Sequence, residues 1–291
     1  MAILVLAPYR DHPRFRHKPL GDAVDRAIAW VRALQCSDGG WAAFDKDNND
    51  SFLTKIPFCD FGEALDPSSV DVTAHVLEAF AEAGIGQDDP AVQRALQYIW
   101  DEQEADGSWW GRWGVNYIYG TAAVLPALRK LGVDMRDERV MKAADWIANK
   151  QQSSGGWGET CASYMDTGLA GRGRPTASQT AWALMSLLAV GRSQDRRPVE
   201  DGLTFLVDHQ RDGTWDEPDY TGTGFPGYGV GQHINLDNDG VEDDLNQSTE
   251  LSRGFMINYH LYRHYFPMMA MGRARGYLHR LGNEPEGGVD A

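Results

Sequence analysis

The sequence predicts an all-α fold in which units of helix, tight turn and tryptophan repeat along the chain. A Gln followed by a Gly and a Trp recurs four times, and each Gly stands two residues before its Trp. An aromatic residue precedes each of these Trp residues by ten or eleven positions, and strand patterns are nearly absent. Because Gly permits φ > 0 after a helix, the Trp of each unit is expected to pack back over the turn. The paired residues are Gln35 with Trp41, Gln103 with Trp109, Gln151 with Trp157, and Gln210 with Trp215.

Taken in order along the chain, apolar residues at helical spacing predict eight helices. They span residues 22–35, 71–83, 91–103, 119–131, 138–151, 178–190, 199–210 and 255–280. Pro267 is expected to kink or break the last helix. The Gln amide of each unit is expected to bridge the carbonyls at its own helix end and a neighbouring backbone. The unequal intervals between the units favour a ring or layer of helices with unequal loops over a strict solenoid.

The composition excludes several classes of function. A net charge of −15 argues against nucleic acid, and also against attachment to anionic lipid by charge alone. Any membrane contact would therefore need an apolar patch. The three cysteines lack a CxxC pattern, which indicates reduced thiols in the cytoplasm and no metal site. The repeats run from near the start to about residue 215, so we favour one domain over residues 1–291.

The segment 106–120 carries three Trp, two Tyr and four Gly residues, which is too much aromatic area for a plain surface loop. It resembles the signature of the triterpene cyclases, and the repeats resemble the QW motifs of that family. The similarity is strongest to bacterial squalene–hopene cyclases and covers essentially the whole chain. Further segments that carry it are 56–62, 71–75, 178–185, 220–227 and 262–264.

The resemblance implies an α/α-barrel isomerase that protonates squalene, or a similar acyclic isoprenoid, and cyclises it to hopanoid triterpenes without a cofactor. It also implies a cytoplasmic enzyme that contacts the inner face of the cell membrane on one side only. Such chemistry needs a strong acid in a dry cavity, and aromatic faces that stabilise carbocations by cation–π attraction. Two other functions stay open at this point, namely a non-catalytic barrel that binds isoprenoids and an α/α-barrel glycoside hydrolase with two carboxylates.

Residue roles follow from the matched positions. Asp71 and His75 lie four apart on one predicted helix. Their spacing alone favours an Asp cap beside a core His, whereas the resemblance of the flanking residues favours a pair that supports the proton donor. Phe58 and Cys59 match the constriction of a substrate channel, and ordinary core packing is the alternative. The QW pairs are assigned to structure. The residues expected to line the cavity are Phe44, Trp113, Tyr119, Phe225, Phe255 and Tyr259.

One family feature is absent. The Asp-x-Asp-Asp motif that holds the proton donor occurs nowhere in this chain. Residues 1–7 resemble the apolar run that follows this motif, so we expect the chain to begin just after the donor and to form an incomplete barrel. An N-terminal cyclase polypeptide or a homodimer would then complete it. Residues 235–240 resemble half of a calcium loop but lack its Glu, so we interpret them as a solvated loop.

Overall fold

The computed structural model describes residues 2–15, 19–50, 65–164, 166–223 and 256–281. Within these ranges the chain forms nine α-helices, joined by turns and short 3-10 segments. Strands occur there only as two-residue antiparallel pairs, β1 (Gln210–Arg211) with β2 (Thr214–Trp215) and β3 (Gly222–Thr223) with β4 (Met256–Ile257). The helices are α1 (Ala2–Leu6), α2 (Leu20–Ala33), α3 (Val70–Glu82), α4 (Pro90–Asp101), α5 (Tyr117–Lys130), α6 (Glu138–Asn149), α7 (Ala177–Val190), α8 (Arg196–Asp208) and α9 (Tyr262–Leu281).

The helices form two layers. α3, α5, α7 and α9 pack side by side, with α1 against α3 at one end, while α4, α6 and α8 lie outside them. The residue types of a helix explain whether it lies in the inner or the outer layer. The inner helix α7 carries apolar or small residues on all sides apart from Gln179, and it buries all but two of its residues. The outer helices are amphipathic, and α2 buries only Val24. This arrangement confirms the all-α prediction.

The four repeat tryptophans fasten the outer layer to the inner one. Trp41, Trp109, Trp157 and Trp215 are at most 3% exposed, as the repeat pattern predicts. Each indole N–H donates at 2.7 Å to a carbonyl nine or ten residues earlier, near the end of its own outer helix. In the first three units the Trp backbone N–H donates to a threonine of the following inner helix. These threonines are Thr73, Thr121 and Thr180.

The glutamines meet the expectation in part, because each amide binds a neighbouring backbone but not the carbonyls at its own helix end. The Nε2 groups of Gln35, Gln103 and Gln151 each donate to the carbonyl of the Gly four residues later, inside their own turn. Their second bond goes to the start of the next outer helix rather than to their own helix end. The expected carbonyls are already occupied, since indole and backbone N–H groups bind them. The acceptors on the next helix are Ala91, Arg139 and Pro198.

The C-terminal helix begins later than predicted. The pattern places a helix over 255–280, whereas Met256 and Ile257 form β4 and the helix starts at Tyr262. The reason is non-local, because Ile257 pairs with Gly222 across the chain. Pro267 lies inside α9 as its sixth residue, so the helix continues through it. Among the described helices, none combines the length and apolar character needed to cross a bilayer.

Candidate active site

The candidate site is built on the first two turns of α3. Asp71 is 1% exposed, and its Oδ2 accepts the backbone N–H of Trp113 at 2.8 Å. One turn further, Nε2 of His75 lies 3.1 Å from the hydroxyl oxygen of Tyr119. The i, i+4 spacing on α3 therefore directs both side chains to the aromatic segment that precedes and begins α5. The structure brings together these four residues, all of which the sequence predicts as site residues.

Burial sets the protonation state of this group. Desolvation lowers the pKa of His75, and the nearby carboxylates of Asp71 and Glu78 oppose that shift. Burial also raises the pKa of Tyr119 well above its ordinary value. Around neutral pH the imidazole is therefore neutral, and the Tyr119 hydroxyl keeps its proton. An imidazolium formed here would give up its proton readily, because burial disfavours its charge.

An unbroken row of aromatic rings extends from Tyr119 across the inner layer. Its ring centroid lies 4.7 Å from that of Trp182 on α7. The centroid of Trp182 lies 5.3 Å from Phe266 and 6.0 Å from Tyr262, both on α9. Tyr262 in turn stacks on Tyr259 with centroids 4.7 Å apart. Three helices and the loop before α9 thus contribute rings to one aromatic cluster beside Asp71 and His75.

The sequence analysis did not predict three of these rings as site residues. Trp182 and Tyr262 lie inside segments that carry the family resemblance, yet those segments gave no reason to select them for the site. Phe266 lies four residues after Tyr262, on the same face of α9, so its spacing was the available signal. The predicted Tyr259 joins the row through Tyr262, and its ring adjoins Gly222, whose β3 strand bridges to Gly114.

Phe44 stands at the edge of the site rather than inside a closed wall. Its ring packs edge-on against Trp113 with centroids 5.6 Å apart, although 72% of the residue is exposed. The buried carboxylate of Asp66 holds this loop by accepting the backbone N–H groups of residues 43, 44 and 45 at 2.5–3.2 Å. Asp66 thereby fixes the position of Phe44 and is a further residue that the sequence reasoning missed.

Several predicted residues lie outside the described ranges. They are Phe58 and Cys59 of the expected channel, Phe225 and Phe255 of the expected cavity, and the loop 235–240. Their assignments stay predictions. Within the described ranges, no group of three or more His, Cys, Asp and Glu side chains is placed to hold a metal ion.

The arrangement suits carbocation chemistry. Aromatic faces attract a cation without offering a nucleophile, and the row from Tyr119 to Tyr259 supplies such faces over several ring widths. The buried carboxylate of Asp71 and the imidazole of His75 lie at one end of that row, where they could support an acid.

Comparisons with known proteins agree with this geometry. The family described as the squalene-hopene cyclase C-terminal domain matches residues 2–233. The squalene–hopene cyclase of Alicyclobacillus acidocaldarius is 50% identical over 260 residues, which cover 89% of this chain and 37% of that protein. The squalene–hopene cyclase of Zymomonas mobilis is 40% identical over 262 residues, covering 89% and 35%. Dammaradiene synthase of Dryopteris crassirhizoma is 37% identical over 280 residues, covering 88% and 37%.

The chain therefore spans less than two fifths of the length of these relatives. None of the comparisons supports the glycoside hydrolase alternative. The match of sequence over most of the chain, together with the two-layered helices and the aromatic row beside Asp71 and His75, leads to one assignment. This chain belongs to the squalene–hopene cyclase family and corresponds to its C-terminal domain.

Proposed function

We propose that this chain supplies the acid-supporting and cation-stabilising half of a triterpene cyclase that folds squalene, or a similar acyclic isoprenoid, into hopanoid rings. The observation that carries the proposal is the aromatic row that begins at the His75–Tyr119 hydrogen bond and reaches α9. A proton donor from a region outside this chain would sit beside His75. No cofactor enters, because the proton added at the start is released at the end.

In this proposal His75 acts on the acid and the aromatic rings act on the cation. A protonated His75 would donate a hydrogen bond to the donor carboxyl, which makes that carboxyl a stronger acid. Burial opposes this protonated form, and neighbouring carboxylates favour it. Asp71 lies one turn away, where its charge favours the protonated form of His75. Trp113, Tyr119 and Trp182 then face the growing cation.

The cytoplasmic location with contact at one membrane face belongs to the same proposal. Tyr265 and Met268 of α9 are more than half exposed, and Leu261, just before the helix, is half exposed. Together they supply the apolar patch that an acidic protein needs for contact with lipid, since its net charge of −15 opposes binding to anionic headgroups. The partner polypeptide that would carry the donor is likewise proposed.

The test is turnover with and without the donor region. The purified chain is incubated with squalene in detergent, alone and together with the part of the Alicyclobacillus acidocaldarius relative outside the 260 matched residues. We expect cyclised product, detected by gas chromatography and mass spectrometry, only in the mixture. His75→Ala should lower kcat far more than it changes KM, because acid strength acts on the transition state. His209→Ala is the matched control, since His209 stacks on Phe205 at the end of α8.

Two outcomes would contradict the proposal. Product from the chain alone, lost in Asp71→Asn, would make Asp71 the donor itself. Binding of squalene without product in the complete mixture would instead favour the non-catalytic barrel.

A further inference from the structure

A cavity of about 310 Å³ lies where the second halves of four inner helices meet. Each of α3, α5, α7 and α9 contributes to its lining, with Glu78, Arg129, Leu188 and Arg273 respectively. The candidate active site uses the first turns of α3 and α5 instead, and Asp71 precedes Glu78 by seven residues. At 1.5 Å per residue, Glu78 lies roughly 10 Å along α3 from Asp71. The cavity therefore belongs to the opposite end of the inner layer.

The polar part of this lining is mainly cationic. The side chains of Arg129, Lys130 and Arg273 line the cavity together with the single carboxylate of Glu78. Lys130 forms an ion pair with Glu82, and Nη2 of Arg273 lies 3.2 Å from Oε1 of Glu78. Arg129 forms no ion pair or side-chain hydrogen bond within the described ranges. The cavity thus keeps a guanidinium without a counter-charge, on a chain whose net charge is −15.

Placement at a helix end explains only part of this cationic cluster. Arg129 and Lys130 lie in the last turn of α5, where the helix dipole favours cations. Arg273 is the twelfth of twenty residues in α9, so no helix end accounts for it. Its bond to Glu78 uses one of the five guanidinium donors and leaves the others for a ligand. Glu78, whose side chain is 11% exposed, thereby holds Arg273 at the cavity.

The rest of the lining is apolar apart from one tyrosine. It consists of Pro126 from α5, Met185, Leu188 and Ala189 from α7, and Tyr277 from α9. Sites for small molecules commonly combine apolar walls with a few polar groups that fix the orientation of the ligand. Guanidinium groups bind carboxylates and phosphates through two parallel hydrogen bonds. The lining therefore matches a molecule that has an anionic head and an apolar tail.

We propose that this cavity binds an amphipathic anion. The carboxylate or phosphate head binds the guanidinium groups of Arg129 and Arg273, and the tail packs on Met185 and Leu188. An inorganic anion would leave the apolar wall exposed to water, and a neutral isoprenoid would leave Arg129 without a partner. A volume of about 310 Å³ is at the lower end for ligand cavities, so the tail is short. A concave lining from four helices favours a single molecule over the surface of a bilayer.

Isothermal titration calorimetry on the full chain tests the site with defined probes. Decanoate and octyl phosphate, kept below their micelle concentrations, should each bind as one molecule per chain, whereas decyltrimethylammonium should not bind. Arg129→Ala should weaken both anions about tenfold, through loss of a hydrogen bond between charged groups. Arg136→Ala is the matched control and should leave the affinity unchanged, because it removes the same charge from a side chain that is 94% exposed and outside the lining. Leu188→Ala should weaken octyl phosphate about fourfold and leave the weaker binding of inorganic phosphate unchanged.

Because Arg129 is exposed, Arg129→Ala should unfold at the same temperature as the wild type, which separates binding from folding. Absence of saturable binding by both anions would overturn the proposal. Equal weakening by Arg129→Ala and Arg136→Ala would overturn it as well, because the effect would then come from overall charge.

Three further outcomes would contradict the class of ligand. Equal affinity for decyltrimethylammonium would show an apolar groove without recognition of the head. Equal affinity for inorganic phosphate would show an anion site without recognition of the tail. Binding to phosphatidylglycerol vesicles without binding to the monomeric probes would make this face a membrane contact, against the single molecule named here.

Discussion

Replacement of Gln35 by alanine tests whether the glutamines hold successive outer helices together. The Gln35 side chain is buried, and its Nε2 donates to the carbonyls of Gly39 and Ala91, each at 2.8 Å. Its oxygen accepts from Arg94. The substitution removes all three bonds and leaves two carbonyls without this donor. Gln210 is the matched control, because it is exposed and its side chain makes no hydrogen bond within the described ranges.

The magnitude follows from those bonds. A buried carbonyl that loses its donor costs about 1–3 kcal/mol, whereas Arg94 can turn to water and contributes little. The sum is about 3 kcal/mol for Gln35→Ala, against less than about 0.5 kcal/mol for an exposed position such as Gln210. In a chain of 291 residues that corresponds to a fall in Tm of roughly 5 °C.

Thermal unfolding followed by circular dichroism measures the difference directly. We expect Gln35→Ala to unfold several degrees below Gln210→Ala, which should match the wild type. Equal melting temperatures for the two variants would show that water replaces the Gln35 amide at no cost. The glutamines would then mark the repeat without stabilising it.

Two further predictions concern buried rings. Trp157→Phe should destabilise the chain by about 1 kcal/mol more than Trp182→Phe, because only Trp157 loses an indole bond, to the Ile147 carbonyl. The indole N–H of Trp182 has no partner among the described residues. Chemical denaturation should therefore show a smaller loss of unfolding free energy for Trp182→Phe, and equal losses would contradict a stabilising Trp157 hydrogen bond. Burial lowers the pKa of His75 in the folded protein below its ordinary value of 6.5. The stabilisation by the neutral imidazole is therefore fully present above pH 6.5, and it is lost as the pH falls through the pKa of the folded state. The free energy of unfolding, measured with urea between pH 7 and pH 5, should therefore fall more steeply for the wild type than for His75→Gln. Parallel curves for the two proteins would contradict a neutral imidazole at this position.

The sequence predicts the helices well because their signal is local. Apolar spacing and the Gln–Gly–Trp turns place α2 to α8 within a few residues of their observed bounds. The start of α9 was predicted wrongly because the β3–β4 pair joins residues 33 and 35 positions apart, and no pattern within a short window reports such a pairing. The Gln amides were correctly expected to reach a neighbouring backbone, but the helix that supplies it was not identified, since the next outer helix approaches each turn only after packing.

The candidate site likewise contains residues that local spacing reveals and residues that only the packing of the helices brings together. Asp71 and His75 could be found from their spacing on one helix, together with the family resemblance. Trp182 could not be found in that way, because its role depends on α5, α7 and α9 lying side by side. Its neighbours in the sequence are equally buried, so apolar character did not single it out. Convergence of rings from separate helices is a property of packing and leaves no periodic trace in the chain.

One repeat differs from the others at the candidate site, and this difference does not depend on the family resemblance. Two residues after the repeat Trp, Glu159 accepts the backbone N–H of Ile118, the second residue of α5. Glu217 does the same for Ser178, the second residue of α7. Both carboxylates thus satisfy the N-terminus of an inner helix.

At α3 the carboxylate lies on the helix and the backbone N–H that it accepts lies on the turn, which is the opposite of the arrangement at α5 and α7. The position two residues after Trp109 is Gly111, where a Cβ would lie 2.5 Å from the Asn116 carbonyl oxygen, so no carboxylate can stand there. The acid instead occupies the second residue of the helix, Asp71, and accepts an N–H from the turn at Trp113. The exchange moves the negative charge from the turn to the helix, one turn from His75. Because local departures from a repeated rule concentrate at functional sites, the reversal agrees with the supporting role proposed for Asp71 beside His75.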